Sequence, residues 1–256
     1  MLQLVPVFLL VLNLCVFSLG QDSATGTTAE TSDKTTPETE KEISPIADPL
    51  ALLGQAAPPL VLKGIDGESY DLSDHSDEII VLEWILPECR FARRLYGQHR
   101  IHPMIRRWGK QKVQWISIDS AFFAHPEKIR PWAEKQSIKH PFLIDQDGRC
   151  AEAFGVKVSP TYIVVNRGQI VYHGSLDDDV WGRKLDRKLY LDDAIREAVD
   201  GNPVTNSLTR PYGMKIRTRR VEDDRRAKLA EAQEKASVDD PGKEPKKSVI
   251  NSGDGR

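Results

Sequence analysis

The chain has 256 residues, 39% hydrophobic and 29% charged, with a formal net charge of −2 at pH 7. That balance excludes a bulk electrostatic attraction to nucleic acid or to an acidic surface. Three cysteines are too few for a disulfide scaffold, so the fold must rest on a hydrophobic core, and at ~150 residues per domain the length allows one or two domains.

Residues Leu2 to Leu19 are almost wholly apolar, with Val7-Phe8-Leu9-Leu10-Val11-Leu12 as an h-region and small Ser18 and Gly20 before a cleavage point at Gln21. This predicts a signal peptide over 1–20 and a secreted or periplasmic protein. No Lys or Arg precedes the run, so the alternative is an uncleaved tether holding the protein to a membrane, facing outside the cytoplasm. The run is at the short limit of the ~20 residues a spanning helix needs. Leu12-Asn13-Leu14-Cys15 lacks the small residues of a lipid-attachment box. Residues 21–45, rich in Thr, Glu, Ser, Asp and Lys, predict a disordered polar linker.

From Ile46 the pattern changes. Leu60-Val61-Leu62, then Asp66-Gly67, then Ser69-Tyr70-Asp71-Leu72 predicts a β-hairpin around a D-G turn. The apolar run Ile79 to Leu86, interrupted by Glu83, suits a central strand buried on both faces. Pro87-Glu88-Cys89 ends it, and a helix follows with Phe91, Leu95 and Tyr96 at helical spacing. Pro103 restarts that helix before Met104, Ile105 and Trp108. Val113–Asp119 is the next strand, Pro126–Gln136 a helix with proline in its first turn, and Pro141–Ile144 a short strand. After the Asp145–Gly148 turn come a short helix at Cys150–Phe154, a strand at Thr161–Val165, and a hairpin through Arg167-Gly168 into Gln169–His173. Leu189–Val199 is helical, with Leu191, Ala194, Ile195 and Val199 on one face. Strands alternating with helices predict an α/β fold. Past residue 216 the chain is highly charged; Glu222–Arg226, Asp224–Lys228 and Glu231–Lys235 pairs without an apolar stripe predict a solvated helix or a disordered tail over 217–256.

Two features mark a chemical site. Cys89 stands where a buried strand turns into a helix. A thiol there faces unpaired backbone N–H groups and the positive end of the helix dipole, which favour thiolate, and Arg90, Arg93 and Arg94 add cationic potential while Glu88 opposes it. Thiolate is the nucleophile of disulfide exchange. Ser159-Pro160-Thr161 opens the later strand with a proline, which is either cis or an ordinary trans strand-start proline.

The stretches Leu82-Glu83-Trp84-Ile85-Leu86-Pro87-Glu88-Cys89-Arg90-Phe91 and Asp147 to Tyr162, which contains Val158-Ser159-Pro160-Thr161, resemble the thioredoxin-like superfamily, and within it the AhpC/TSA-like redoxin branch of exported bacterial proteins. The resemblance spans about residues 52–216. It implies a thioredoxin-like fold over 46–216: a central mixed β-sheet flanked by helices, with an extra N-terminal β-hairpin. It further implies that Pro160 is cis and packs against Cys89, and that an extended substrate segment pairs beside Ser159. Cys89, Pro160 and Arg90 are then the catalytic candidates, and Trp84, Pro87, Ser159 and Thr161 line the substrate groove.

The departures narrow the chemistry. The C-x-x-C motif of the relatives reads Cys89-Arg90-Phe91-Ala92 here, so its second thiol is missing. The peroxidatic motif has Thr or Ser three residues before its cysteine; here Leu86 stands there. Members of this branch can carry a cysteine in a P-Y-G-C-like segment, which reads Pro211-Tyr212-Gly213-Met214 here. Cys150 is the remaining candidate for a resolving thiol, against a reading as a small apolar residue covering the sheet. His99 and His102 share a helical spacing, and joint ligation with Cys89 is conceivable, but the copper-delivering relatives use two cysteines and a histidine and the second cysteine is missing here; His75, His125, His140 and His173 form no recognised ligand spacing, so no metal or other cofactor is expected. The reading carried forward is an exported, single-cysteine thiol-disulfide oxidoreductase of redox homeostasis, whose partners are protein or small-molecule thiols and disulfides. The alternatives are a binding module that has lost catalysis and a one-cysteine peroxidase.

Overall fold

The computed structural model describes residues 46–239; the expected signal peptide and linker lie outside the described residues. Strand β3 (Ile79–Trp84) is the predicted apolar run, and it sits between two partners. It pairs in parallel with β4 (Val113–Asp119) and antiparallel with β7 (Thr161–Asn166). Covered on both faces, such a strand shows no alternation of polar and apolar residues.

The other strands are β1 (Val61–Gly64), β2 (Ser69–Asp71), β5 (Phe142–Ile144) and β8 (Gln169–Gly174), and the sheet order is β2–β1–β5–β4–β3–β7–β8. Pairings are parallel for β3–β4 and β4–β5 and antiparallel elsewhere, a mixed sheet. The β1–β2 hairpin turns at Asp66-Gly67, and the β7–β8 hairpin at Arg167-Gly168, where both residues have positive φ (48° and 78°). Two consecutive positive φ values match the twist of a two-residue hairpin, and glycine carries one of them without a Cβ penalty.

The helices are α1 (Pro49–Leu52), α2 (Arg90–Gly97), α3 (His102–Gly109), α4 (Pro126–Lys135), α5 (Arg149–Ala153), α6 (Tyr190–Val199) and α7 (Arg219–Asp239). Helix α2 buries Phe91, Ala92, Leu95 and Tyr96, and α6 buries Leu191, Ala194, Ile195 and Ala198, the i, i+3, i+4 stripes that hold them on the sheet. Pro103 lies in the first turn of α3, where its missing N–H costs nothing.

Three features go beyond the sequence reading. A 3-10 turn at Leu72–His75 follows the hairpin. A separate two-stranded pair joins β6 (Val158–Ser159) to β9 (Met214–Lys215). Packing also continues past residue 216: Phe122 N–H donates to Arg217 O (2.8 Å), and the Glu222 side chain is buried against Arg217, Arg225 and Arg226. Beyond that point the described side chains of α7 are exposed. Among the described residues no helix is long and apolar enough to cross a membrane.

Candidate active site around Cys89

The chain leaves β3 at Trp84 and turns through Leu86–Cys89, where Cys89 N–H donates to Leu86 O at 3.0 Å. Cys89 has extended backbone angles (φ −68°, ψ 118°) and is the residue from which α2 starts; Arg93 N–H closes on its carbonyl at 2.9 Å. Its side chain does not cap the helix. Instead Sγ–H donates to the Ser159 carbonyl at 3.0 Å, and the residue is 1% exposed. Only the protonated thiol can make that bond, so thiolate formation requires it to be given up. Ser159 also grips the turn with its hydroxyl, which accepts from Leu86 N–H at 2.9 Å. The Ser159–Pro160 peptide is cis.

These contacts bring Cys89, Ser159 and Pro160 together across about seventy residues of chain, with Thr161 locked beside them by its hydroxyl donating to Val158 O at 2.7 Å. Pro87 is buried in the same turn, and its carbonyl accepts from Arg93 Nε at 2.7 Å. Trp84 corrects the groove expectation. It is 0% exposed, donates Nε1–H to Ser120 Oγ at 3.0 Å and packs on Phe154, so it underlies the site and cannot line a groove. A tryptophan ending a two-sided strand points into the core, whatever precedes it. Arg90 is exposed, with its guanidinium 4.9 Å above the Phe91 ring. Arg94 is drawn the other way, donating to Val180 O (2.6 Å) and Asp179 O (3.2 Å).

Cys150 sits in the first turn of α5, its N–H on Asp145 Oδ1 at 3.2 Å; it and Cys89 are both free thiols. Burial, then the Asp145 and Asp147 charges, push the Cys150 thiol up to about 12. A resolving thiol attacks as thiolate, so this environment works against that role. The His99 and His102 rings lie 5.4 Å apart, tilted by 51°, and His102 Nε2 contacts Gln136 O at 2.7 Å.

Two polar clusters beneath the site were not anticipated. Glu83 is fully buried in β3 and accepts four hydrogen bonds, from Tyr96 Oη (2.7 Å), Trp115 Nε1 (2.9 Å), Ser117 Oγ (3.2 Å) and Tyr162 Oη (3.0 Å). Burial raises its carboxyl, and the four donors oppose that rise. The signal was visible as one charge inside an apolar run. The second cluster lies at the carboxyl ends of β4 and β5, the edge where β3 delivers Cys89. Ser120 Oγ donates to Asp145 Oδ2 at 2.5 Å, and Asp145 also accepts from Ala151 N–H at 2.9 Å. Burial pushes Asp119 up to about 7, with Glu88 and Asp145 adding to the rise against the Ala121 N–H bond.

Comparison with known proteins agrees with this geometry. The model of the AhpC/TSA family matches residues 53–173. The thioredoxin-like protein YneN of Bacillus subtilis is 25% identical over 139 residues, covering 52% of this chain and 78% of the relative. The thiol-disulfide oxidoreductase ResA of Halalkalibacterium halodurans is 26% identical over 124 residues, covering 48% of this chain and 68% of the relative. The crystal structure of an uncharacterized conserved protein from Geobacillus kaustophilus has a TM-score of 0.59 at 24% identity, covering 64% of this chain and 91% of that one, which shows a shared fold. A buried strand delivers a cysteine to a helix start beside Ser159–Pro160, and the segment that carries both, residues 53–173, is similar to the AhpC/TSA family.

Proposed function

We propose that the protein is a thiol-disulfide oxidoreductase that works outside the cytoplasm through one cysteine, Cys89. The observation that carries this reading is the Cys89 thiol at the start of α2, hydrogen-bonded to the carbonyl of the cis Ser159–Pro160 peptide. In the reaction the Cys89 thiol gives up its bond to Ser159 O and its proton to solvent. The thiolate attacks one sulfur of a substrate disulfide. A Cys89–substrate disulfide forms, the substrate S–S bond breaks, and the departing sulfur leaves as thiolate and takes up a proton. Ala92 occupies the position of a second active-site cysteine, so an external thiolate attacks Cys89 Sγ, releasing the second substrate sulfur as a thiolate that takes up a proton; a second external thiolate then attacks the external sulfur of that new disulfide, forming a disulfide of the two external thiols and returning Cys89. Pro87, Ser159, Pro160 and Thr161, buried like Trp84 but packed around the Cys89 turn, support the thiol that the substrate sulfur approaches. The high-lying Cys150 thiol is left out of the cycle. The apolar N-terminal run supports residues 1–20 as a signal peptide, 21–45 as a spacer, and 46–216 as the working domain.

The test is reduction of a protein disulfide with glutathione as the external thiol. Cys89→Ser is expected to abolish turnover, Cys150→Ser to preserve it, and mass spectrometry to trap a mixed disulfide on Cys89. Turnover that survives Cys89→Ser overturns the reading. The 1% exposure of Cys89 favours a second reading, a non-catalytic binding module. A Cys89 that reacts with iodoacetamide only on global unfolding would select it.

A further inference from the structure

Residues Pro211–Ile216 cross the face of the site. Tyr212 roots the crossing: its hydroxyl donates to Asp177 Oδ1 at 2.6 Å, and its ring lies 5.9 Å from Phe91, two residues after Cys89. Gly213 then rests on the Ser159–Pro160 peptide so closely that an added Cβ would stand 1.9 Å from Ser159 O and 2.5 Å from its carbonyl carbon. That oxygen is the one holding the Cys89 thiol. Met214 and Lys215 pair antiparallel with Ser159 and Val158, and Ile216 N–H donates to Lys157 O at 3.0 Å before the Ile216 side chain enters the core. The backbone edge beside the cis proline is therefore already filled by an extended segment of the same chain.

We infer that Tyr212–Ile216 is a self-bound peptide: it occupies, in cis, the edge at Val158–Ser159 on which an extended polypeptide substrate pairs, and Cys89 becomes reachable when this strap lifts. The inference rests on the oxidoreductase reading above for what the vacated edge is used for. The geometry makes exchange feasible. The ladder is two residues long, and an incoming strand replaces its backbone hydrogen bonds one for one. Met214 is 41% exposed, so lifting it uncovers little apolar surface, and the cost of opening falls on Tyr212 at Phe91 and on the buried Ile216. The contact at Gly213 also defines the partner: an extended segment with glycine facing the Ser159 carbonyl, and an aromatic side chain before it to rest on Phe91.

The test measures alkylation of Cys89 by iodoacetamide in the folded full chain, read by mass spectrometry. Gly213→Val forces a side chain against Ser159 O, and Tyr212→Ala removes the root at Asp177 and Phe91. Both are expected to raise the alkylation rate by about tenfold or more while thermal unfolding stays cooperative, as expected when a locally opening segment is unlatched. The peptide acetyl-Pro-Tyr-Gly-Met-Lys-Ile-amide is expected to slow alkylation of either variant. Wild-type alkylation rates in both folded variants overturn the strap. Should the variants fail to fold, hydrogen exchange of the unaltered chain decides: Ile216 N–H should exchange well before the β3 amides, and exchange only with global unfolding overturns the inference. Fast alkylation without disulfide turnover would remove the oxidoreductase reading and leave the strap. Wild-type turnover equal to that of both variants would do the reverse.

Discussion

Glu83 shows how a single residue can be conspicuous in a sequence while its purpose stays hidden. A carboxylate in the middle of Ile79–Leu86 is plain to read, but its four donors come from α2, β4 and β7, and only folding brings them together. Removing the acceptor leaves buried hydroxyl and indole donors without partners. Glu83→Ala is therefore expected to destabilise the domain by roughly 3–5 kcal/mol, measured by urea unfolding, with a far smaller loss for Glu83→Gln, which keeps one acceptor oxygen. Asp119 makes the opposite argument. Its folded-state value of about 7 lies above the 3.8 of an ordinary Asp, so between those values the folded protein holds a proton that the unfolded chain has released. Its contribution to stability is therefore fully present below pH 3.8 and is lost as pH rises toward 7. Asp119→Asn, which can still accept from Ala121 N–H, should raise stability at pH 8 by up to about 4 kcal/mol and by little at pH 4. Thermal melts at the two pH values check this, and equal gains at both would contradict it. The local signals at Cys89 and Pro160 left their roles open, and their juxtaposition was expected only from the resemblance; the burial of Trp84 was not legible, since it depends on what covers both faces of the sheet.

Elements with a strong local period were read closely. The strand at Val113–Asp119 has the bounds expected of it, and the helices after Cys89, Pro126 and Leu189 lie within a residue or two of the expected positions. The β6–β9 pair was missed because two residues on each side carry no periodicity, and the alignment of Ser159 with Met214 is set by distant anchors. One anchor is ionic. Glu222, buried at the start of α7, accepts from Arg225, Arg217 and Arg226, which hold its carboxyl well below the usual carboxylate range. Arg217, Arg219 and Arg226 also surround the Phe122 ring at 5.1, 5.7 and 6.0 Å. Those arginines are largely exposed, so salt screens them. The Cys89 alkylation rate should therefore climb between 0.05 and 1 M sodium chloride by about two- to fivefold, as salt weakens the grip on the strap's exit. Glu222→Gln should show a raised rate already at low salt, with a flattened salt response. A rate indifferent to salt would leave the Glu222 cluster without influence on the strap.

At the scale of the whole molecule, the α/β class followed from alternating strands and helices and the N-terminal hairpin from its Asp66-Gly67 turn, while the mixed sheet was expected from the resemblance to thioredoxin-like proteins. What the order of elements did not reveal is the return of the chain after α6 to the edge beside Pro160, since a return of that kind depends on tertiary contacts such as Tyr212 with Asp177. The segment after β8 contributes as well. Asp177 and Asp179 are buried and paired with Arg100 and Arg187, Arg94 of α2 donates to the Asp179 and Val180 carbonyls, and Trp181 lies 6.5 Å from Phe91. Trp181 is 66% exposed, whereas Trp84, Trp108 and Trp115 are buried. This gives the protein a built-in optical probe. A collisional quencher such as iodide in solution should extinguish the emission of Trp181 ahead of that of the buried indoles, and a peptide settling beside Phe91 should shield it. Occupancy of the site can thus be followed by fluorescence in the unmodified protein, with no label and no chemistry at Cys89.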